Sequence, residues 1–442
     1  MTPISSNPDS SPLLSPSASS PLGRSGGAVR SGGASSPLLT PSASSPLGRS
    51  GGAVRSGGAS SPLLTPSASS PLGRSGGAVR SGGAVRSGGA PILIINPGAT
   101  STKLAVYEDE RPVWQSGAHH APAELSQFHS SIEQYDYRMR FIRQRLAADG
   151  IPIRFDAVIG RGGLLRPLEG GIYRVNERMK DDLRHAAMDH VCNLGGLLAA
   201  ELAEECGCPA YIADPVVVDE MQPVARYTGI PGIERKSVFH ALNSKAMARR
   251  YAASTGKAYE DISVIVAHMG GGISVSAHRH GRVIDVNNAL DGEGPFSTER
   301  AGTIPSGALV EMCFSGRYDM RRIKKMIHGH GGLVAYLGTN DMITIARRAE
   351  DGEEPCRTIL DAMLYTVAKQ IGAMHVTLHG EEHAVILTGG IAHSTYCMDR
   401  LRPQIDFLAP VVVMPGENEI ASLAYNALCA LKGSIEVKEY GE

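Results

Sequence analysis

The alternation of apolar and polar positions starts at residue 91. Residues 91–95 are wholly apolar, 96–103 form a polar turn and 104–107 are apolar again, which predicts a hairpin. Ile132, Tyr135, Met139, Ile142 and Leu146 recur at helical spacing and predict a core-facing helix over 128–148. Residues 155–159 predict a strand ending in Gly160-Arg161-Gly162-Gly163. Helices follow over 176–185 and 193–205, then a strand over 209–215, with Asp214 held extended by Pro215. A helix from 237 to about 251 precedes a second apolar run, 264–267, which enters Gly270-Gly271-Gly272 and resumes at Ile273 and Val275. Residues 282–286, 384–388 and 411–413 predict strands, and 354–378 and 420–432 predict helices. Residues 287–307 form a long polar loop, a length that inside a folded domain marks function or disorder.

Residues 1–90 lack any such pattern. Ser11 to Ser35 recurs from Ser36 and from Ser61 with a 25-residue period and almost no divergence. Nearly identical copies without a buried pattern predict a low-complexity tail, disordered because it cannot offset its chain entropy. Seven Arg and one Asp make the tail basic, and the remaining 352 residues carry a net −7. A mildly acidic body argues against a general nucleic-acid surface. No apolar run approaches the roughly 20 residues of a membrane span. Seven scattered cysteines predict free thiols in a reducing compartment, hence a cytoplasmic protein. Neither Cys206-Gly207-Cys208 nor the His328/His330 pair has the spacing of a metal site.

The candidate chemistry lies in the turns. Bare backbone N–H groups at a glycine turn approach a polyphosphate closely, and His268 stands beside the triplet. The first turn offers Asn96, Ser101 and Lys103, groups suited to phosphate and to water on Mg²⁺. Gly389 and Gly390 make a third turn. Arg161 between glycines suits a carboxylate or phosphate clamp. No Walker A pattern and no protein-kinase glycine loop is present. Separated strand turns of this kind predict an α/β chain of the two-domain, duplicated actin-like ATPase fold found in actin, hexokinase and Hsp70. The expected domains are 91–215, completed by 416–442, and 216–415.

The segments ILIINPGATSTKLAVYEDE, GRGGLLRPLEGG, DPVVVDEM, IERKSVFHALNSKA, IVAHMGGGISV, DVNNALDGEGPFSTERAG, GGLVAYLGTND and LTGGIA occur in that order. Together they resemble the acetate kinase (acetokinase) family, most closely its butyrate branch, across residues 91–433. The resemblance implies ATP-dependent phosphorylation of a short-chain fatty acid, butanoate in that branch, to an acyl phosphate and ADP, with Mg²⁺. It implies phosphate contacts from Asn96, Ser101, Lys103, His268, Gly270, Gly271 and Gly272, and an adenosine-side turn of Gly389, Gly390 and Ile391. Arg161 is implied to meet the substrate carboxylate, and His240 and Arg300 the transferring phosphoryl. Asp214 is implied near Mg²⁺, with Glu419, or Asn418 on a one-residue shift, as its second side chain. Where acetate kinase has a Glu-Asn pair after its third turn, this chain has Ala392-His393-Ser394, which fits the butyrate branch. A homodimer or higher homo-oligomer is implied too. Acetate, propionate and branched-chain acids remain alternative substrates, and a non-catalytic actin-like ATP-binding scaffold is the rival from another class. Loss of Arg161 or Arg300 would mark the scaffold, and both are present.

Overall fold

The computed structural model describes residues 89–441. The repeat tail, and the disorder expected of it, lie outside these residues apart from its last two positions. Twelve strands are present: β1 (Pro91–Pro97), β2 (Ser101–Glu108), β3 (Arg111–His119), β4 (Ala157–Arg161), β5 (Ile172–Arg174), β6 (Ala210–Ala213), β7 (Ser263–Met269), β8 (Ile273–Arg279), β9 (Arg282–Val286), β10 (Ala384–Thr388), β11 (Val411–Val413) and β12 (Val437–Lys438). They form two sheets, β12-β5-β6-β4-β1-β2-β3 and β11-β10-β7-β8-β9.

The sheets share a plan. An antiparallel hairpin, β1–β2 in one and β7–β8 in the other, pairs in parallel with a later strand, β4 or β10. The first strand of each hairpin, β1 and the middle of β7, is apolar on both faces because both faces are covered. In β1, Leu93 and Ile95 pack among the helices Tyr135–Ala148, Glu177–Arg184 and Asn193–Cys206, while Ile92 and Ile94 pack against the helix Glu419–Lys432. In β7, Ile265, Ala267 and Met269 face the long helix Glu354–Thr377, and Val264 and Val266 face the helix Ala241–Ser254. Each fully buried Ile, Leu or Val contributes roughly 1.5–3 kcal/mol.

The helix boundaries have local causes. Asn176 caps Glu177–Arg184 by accepting from the Met179 N–H at 2.9 Å. Gly207 ends Asn193–Cys206 in the left-handed region. That helix lies unusually close to β4, because Gly160 and Gly195 face each other. A Cβ on Gly160 would stand 2.0 Å from the Gly195 carbonyl oxygen. The contact sets the height at which β4 delivers Arg161.

Candidate active site

The candidate residues sit at the ends of parallel strands and in the turns beyond them. Asn96 is near the end of β1, Arg161 ends β4, Asp214 follows β6, His268 is near the end of β7 and Gly389 follows β10. Strand ends of this kind are where open α/β sheets place ligands.

Glu419, at the first position of the helix Glu419–Lys432, draws two of them together. Asn96 Nδ2 donates to its Oε2 at 2.8 Å, and Arg161 reaches both carboxylate oxygens at 3.2 Å. The other Asn96 amide atom, Oδ1, is buried without a partner among the described residues. On the neighbouring strand, Lys103 pairs in register with Asn96.

A second group surrounds His268, which is fully buried. Asn243 Nδ2 lies 2.9 Å from its Nδ1, which makes Nδ1 the acceptor and places the proton on Nε2. Nε2 stands 3.1 Å from Glu417 Oε1. This imidazole, helped by Arg161 and Lys103 and opposed by burial, pulls the Glu417 carboxyl down to about 2. The ring of His240 stacks on that of His268 at 3.8 Å, and its Nδ1 meets Ser274 Oγ at 3.0 Å. Burial first, then His268, Arg300 and Arg161, push the His240 pKa well below the usual histidine range. His240 is therefore neutral at pH 7.

Arg300 comes from the polar loop. Ser297 Oγ donates to the Gly271 carbonyl at 2.6 Å and accepts from the Arg300 N–H at 3.1 Å, lacing this loop to the glycine triplet. The guanidinium lies across Gly272, where a Cβ would stand 2.0 Å from Nη1. Nη1 donates to the Ala289 carbonyl at 2.6 Å, and Nε has no partner among the described residues. Burial lowers its pKa, as does Arg161, against the opposing charge of Glu299.

Arg161, His240 and Arg300 line one cavity of about 80 Å³, walled otherwise by Leu164, His190, Cys192, Val216, Val238, Phe239, Ala289 and Leu290. Two cations and a neutral imidazole thus share a small, largely apolar chamber. Such a lining is complementary to a small anion with an apolar tail.

The third turn joins this region through the backbone. Gly389 and Gly416 exchange hydrogen bonds at 3.2 and 3.0 Å, which ties the turn after β10 to the segment bearing Glu417. Ile391 is buried in the core beneath, and Gly390 is exposed.

Asp214 is arranged differently from expectation. Its backbone is not extended ahead of Pro215 but has φ of 37°. Its carboxylate explains this, because it accepts from Gly171 N–H at 2.9 Å and from Arg249 Nη1 at 2.7 Å, and its side chain is fully buried. Both oxygens are engaged, although Asp214 borders a crevice with Arg161 and Glu419. Ser101 and Lys103 make no side-chain hydrogen bond among the described residues. Those residues also contain no cluster of three or more His, Cys, Asp or Glu side chains fit to hold a metal.

Three further residues belong to the site. Glu417 was visible only as part of an acidic turn. Asn243, which sets the His268 tautomer, was visible only as a polar residue in a helix start. His190 carries no signal of a role in the sequence. Its Nδ1 accepts from Cys192 N–H at 3.2 Å and pairs with Cys192 Sγ at 2.9 Å. Burial, then Arg161 and Arg300, push its pKa down to about 4.

A family model described as "Acetokinase family" matches residues 225–410. A protein of Phocaeicola vulgatus named "Probable butyrate kinase" is 65% identical over 349 residues, 79% of this chain and 99% of that protein. One of Bacteroides thetaiotaomicron with the same name is 53% identical over 350 residues, again 79% and 99%. Among solved structures, acetate kinase from Porphyromonas gingivalis superposes with a TM-score of 0.65 at 17% identity, covering 77% of this chain and all of that one. A propionate kinase from Francisella tularensis gives 0.59 at 16%, covering 76% and 98%. At those identities the likeness speaks for the fold, which is the duplicated actin-like ATPase fold of these kinases. The chain belongs to the acetokinase family.

Proposed function

We propose that the chain transfers the γ-phosphoryl of ATP to butanoate, giving butanoyl phosphate and ADP, reversibly and by direct in-line displacement. Membership of the acetokinase family makes it a carboxylate kinase that uses ATP and ADP. The names of its relatives supply butanoate. The observation that carries the acid site is the cavity shared by Arg161, His240 and Arg300. Its 80 Å³ exceeds the roughly 10–15 Å³ that admits a single water, which is room for a small acid.

The chemistry needs no general base, because a carboxylate with a pKa of about 4–5 arrives ionised. The barrier is repulsion between two anions and charge on the transferring phosphoryl, so positioning and electrostatics supply the rate. Arg161 and Arg300 provide fixed cations. His240, held neutral, provides a hydrogen bond without a third charge. The glycine turn 270–272, in which the Gly270 N–H is taken by the Gly272 carbonyl at 3.0 Å and Gly271 is exposed, faces the polyphosphate from one sheet, and the turn bearing Asn96, Ser101 and Lys103 faces it from the other.

Mg²⁺ would be held by Glu419 and the neighbouring Glu417, with the unpartnered Asn96 Oδ1 suited to a metal-bound water; both Glu419 oxygens are engaged by Asn96 and Arg161, so a direct bond to the ion would displace Arg161, while Asp214, paired with Gly171 and Arg249, serves as a structural anchor. One or two carboxylates plus phosphates and water are the usual Mg²⁺ set. When bound, the ion neutralises phosphate charge as it develops.

The test is hydroxylamine trapping of acyl phosphate with C2 to C5 acids. The four-carbon acid should give the highest kcat/KM, and Arg300→Ala should lower kcat by about 10²–10³ with the fold intact. Absence of hydroxamate with every acid would overturn the enzyme reading. Nucleotide binding without acid-dependent ADP release would favour the scaffold.

A further inference from the structure

Arg138, on the helix Tyr135–Ala148, is completely buried. Every partner it has is neutral. Nε and Nη2 donate to Gln134 Oε1 at 3.0 and 2.9 Å, and Nη1 donates to the Ser101 carbonyl at 2.8 Å and to Thr102 Oγ1 at 2.9 Å. Nη2 also reaches the Ala99 carbonyl at 3.4 Å. No carboxylate pairs with it among the described residues. A buried charge is normally paired, because an uncompensated one is expensive. Burial lowers its pKa only to about 10, so the charge persists at pH 7. Nor does its neighbour supply an anion. His120 contacts Thr102 Oγ1 at 2.8 Å, and burial and Arg138 itself depress its pKa.

The groups Arg138 holds are the backbone of one turn. Gly98 N–H donates to the Ser101 carbonyl at 2.8 Å, closing the turn between β1 and β2, and Arg138 binds that same carbonyl from behind. The front of this turn carries Ser101 and, two residues on, Lys103.

We propose that Arg138 is a positioning residue of the nucleotide site, a buried cation that fixes the 98–102 turn from behind and whose missing counter-charge is the polyphosphate bound in front. This rests on the nucleotide reading given above. It accounts for an arginine rather than an apolar residue on the buried face of this helix. It also explains why no acidic residue accompanies it, since a resident carboxylate would cancel the field the phosphate meets.

The test separates charge from packing. Arg138→Met and Arg138→Gln are compared with Arg138→Lys, each first checked for a folded far-ultraviolet spectrum and a cooperative melt. MgADP affinity is then measured by calorimetry, and KM is measured for ATP and for butanoate. Loss of the charge should raise both the Kd for MgADP and the KM for ATP about 10- to 50-fold, the order expected for one unit charge acting across a turn at the effective dielectric of a protein. KM for butanoate should stay within about twofold, and Lys should recover most of the nucleotide affinity. A folded Met or Gln variant that binds MgADP like the parent would overturn the proposal. So would equal rises in both KM values. A parent protein that fails to bind MgADP would instead overturn the nucleotide reading, and this inference with it.

Discussion

Lys245 and Glu220 are each almost wholly buried, and their pairing is complete. Lys245 Nζ reaches both carboxylate oxygens at 2.9 and 2.8 Å and donates to the Gly281 carbonyl at 3.2 Å. Glu220 also accepts from Gly170 N–H at 3.0 Å and Val283 N–H at 2.7 Å. One ion pair thus ties the helix Ala241–Ser254 to β9 and to the loop before β5. Lys245→Met should lower stability by about 3–5 kcal/mol, because it leaves a carboxylate buried without its cation. Urea unfolding checks this, and the Lys245→Met, Glu220→Gln double variant should lose less than the sum. A single-variant loss below about 1 kcal/mol would contradict a buried, uncompensated charge. At this scale the sequence is ambiguous for a physical reason: Lys245, Arg138 and Asp214 are polar letters, and hydropathy assigns polar letters to the surface. Their burial follows from partners far along the chain, such as Glu220 for Lys245 or Ser101 for Arg138, which no local pattern connects.

The closest element contact on the path to the site is between β4 and the helix Asn193–Cys206. A Cβ on Gly195 would stand 2.2 Å from the Arg161 carbonyl oxygen. Gly195→Ala should therefore lift the helix and tilt the strand end that carries Arg161. The expected result is a loss of about 1–3 kcal/mol from overpacking, together with a higher KM for the carboxylate. A lower melting temperature with unchanged acid kinetics would show that the contact packs without positioning. Elements with long, clean periodicity were legible: both hairpins, the helix 193–206, the long helix from Glu354 and the closing helix. Those that escaped were of three kinds. β5 and β12 have three and two residues, too few for any period. β3 is an edge strand whose positions are all exposed or half-buried, so no apolar face marks it. The helix Ser306–Phe314 buries none of its residues, which leaves an apolar segment without a side. Met320–Ile327 does carry a readable signal, since Asp319 caps it by accepting from Arg322 N–H at 2.6 Å. Within the site, the separated glycine turns were visible because backbone exposure needs glycine. Glu417 was not, since its role depends on His268, which arrives from β7, a strand of the same sheet far earlier in the chain.

Across the whole molecule, several buried histidines are held neutral, and this couples stability to pH. His278 is fully buried between Tyr259 OH at 2.7 Å and Ser276 Oγ at 2.8 Å, and burial, then Lys245 and Arg249, push its pKa well below the usual range. His240 behaves likewise, and His190 is pushed down to about 4. In the unfolded chain each takes a proton near pH 6.5, whereas in the folded chain it does not. The unfolded state therefore binds more protons, so stability is present above pH 6.5 and is lost as pH falls toward the depressed folded values. Each histidine contributes a slope approaching 1.4 kcal/mol per pH unit below 6.5, so three together should lower stability by about 3–4 kcal/mol between pH 7 and 5.5. Glu417, depressed to about 2, acts in the same direction but only below its ordinary carboxyl range. The loss between pH 7 and 5.5 therefore belongs to the histidines. Urea midpoints across that interval measure it, and equal midpoints at its two ends would refute it. His278→Leu lies outside the catalytic cavity and should flatten the slope by up to about a third, less as His120 and His328, also depressed, contribute, whatever its effect on stability at pH 7.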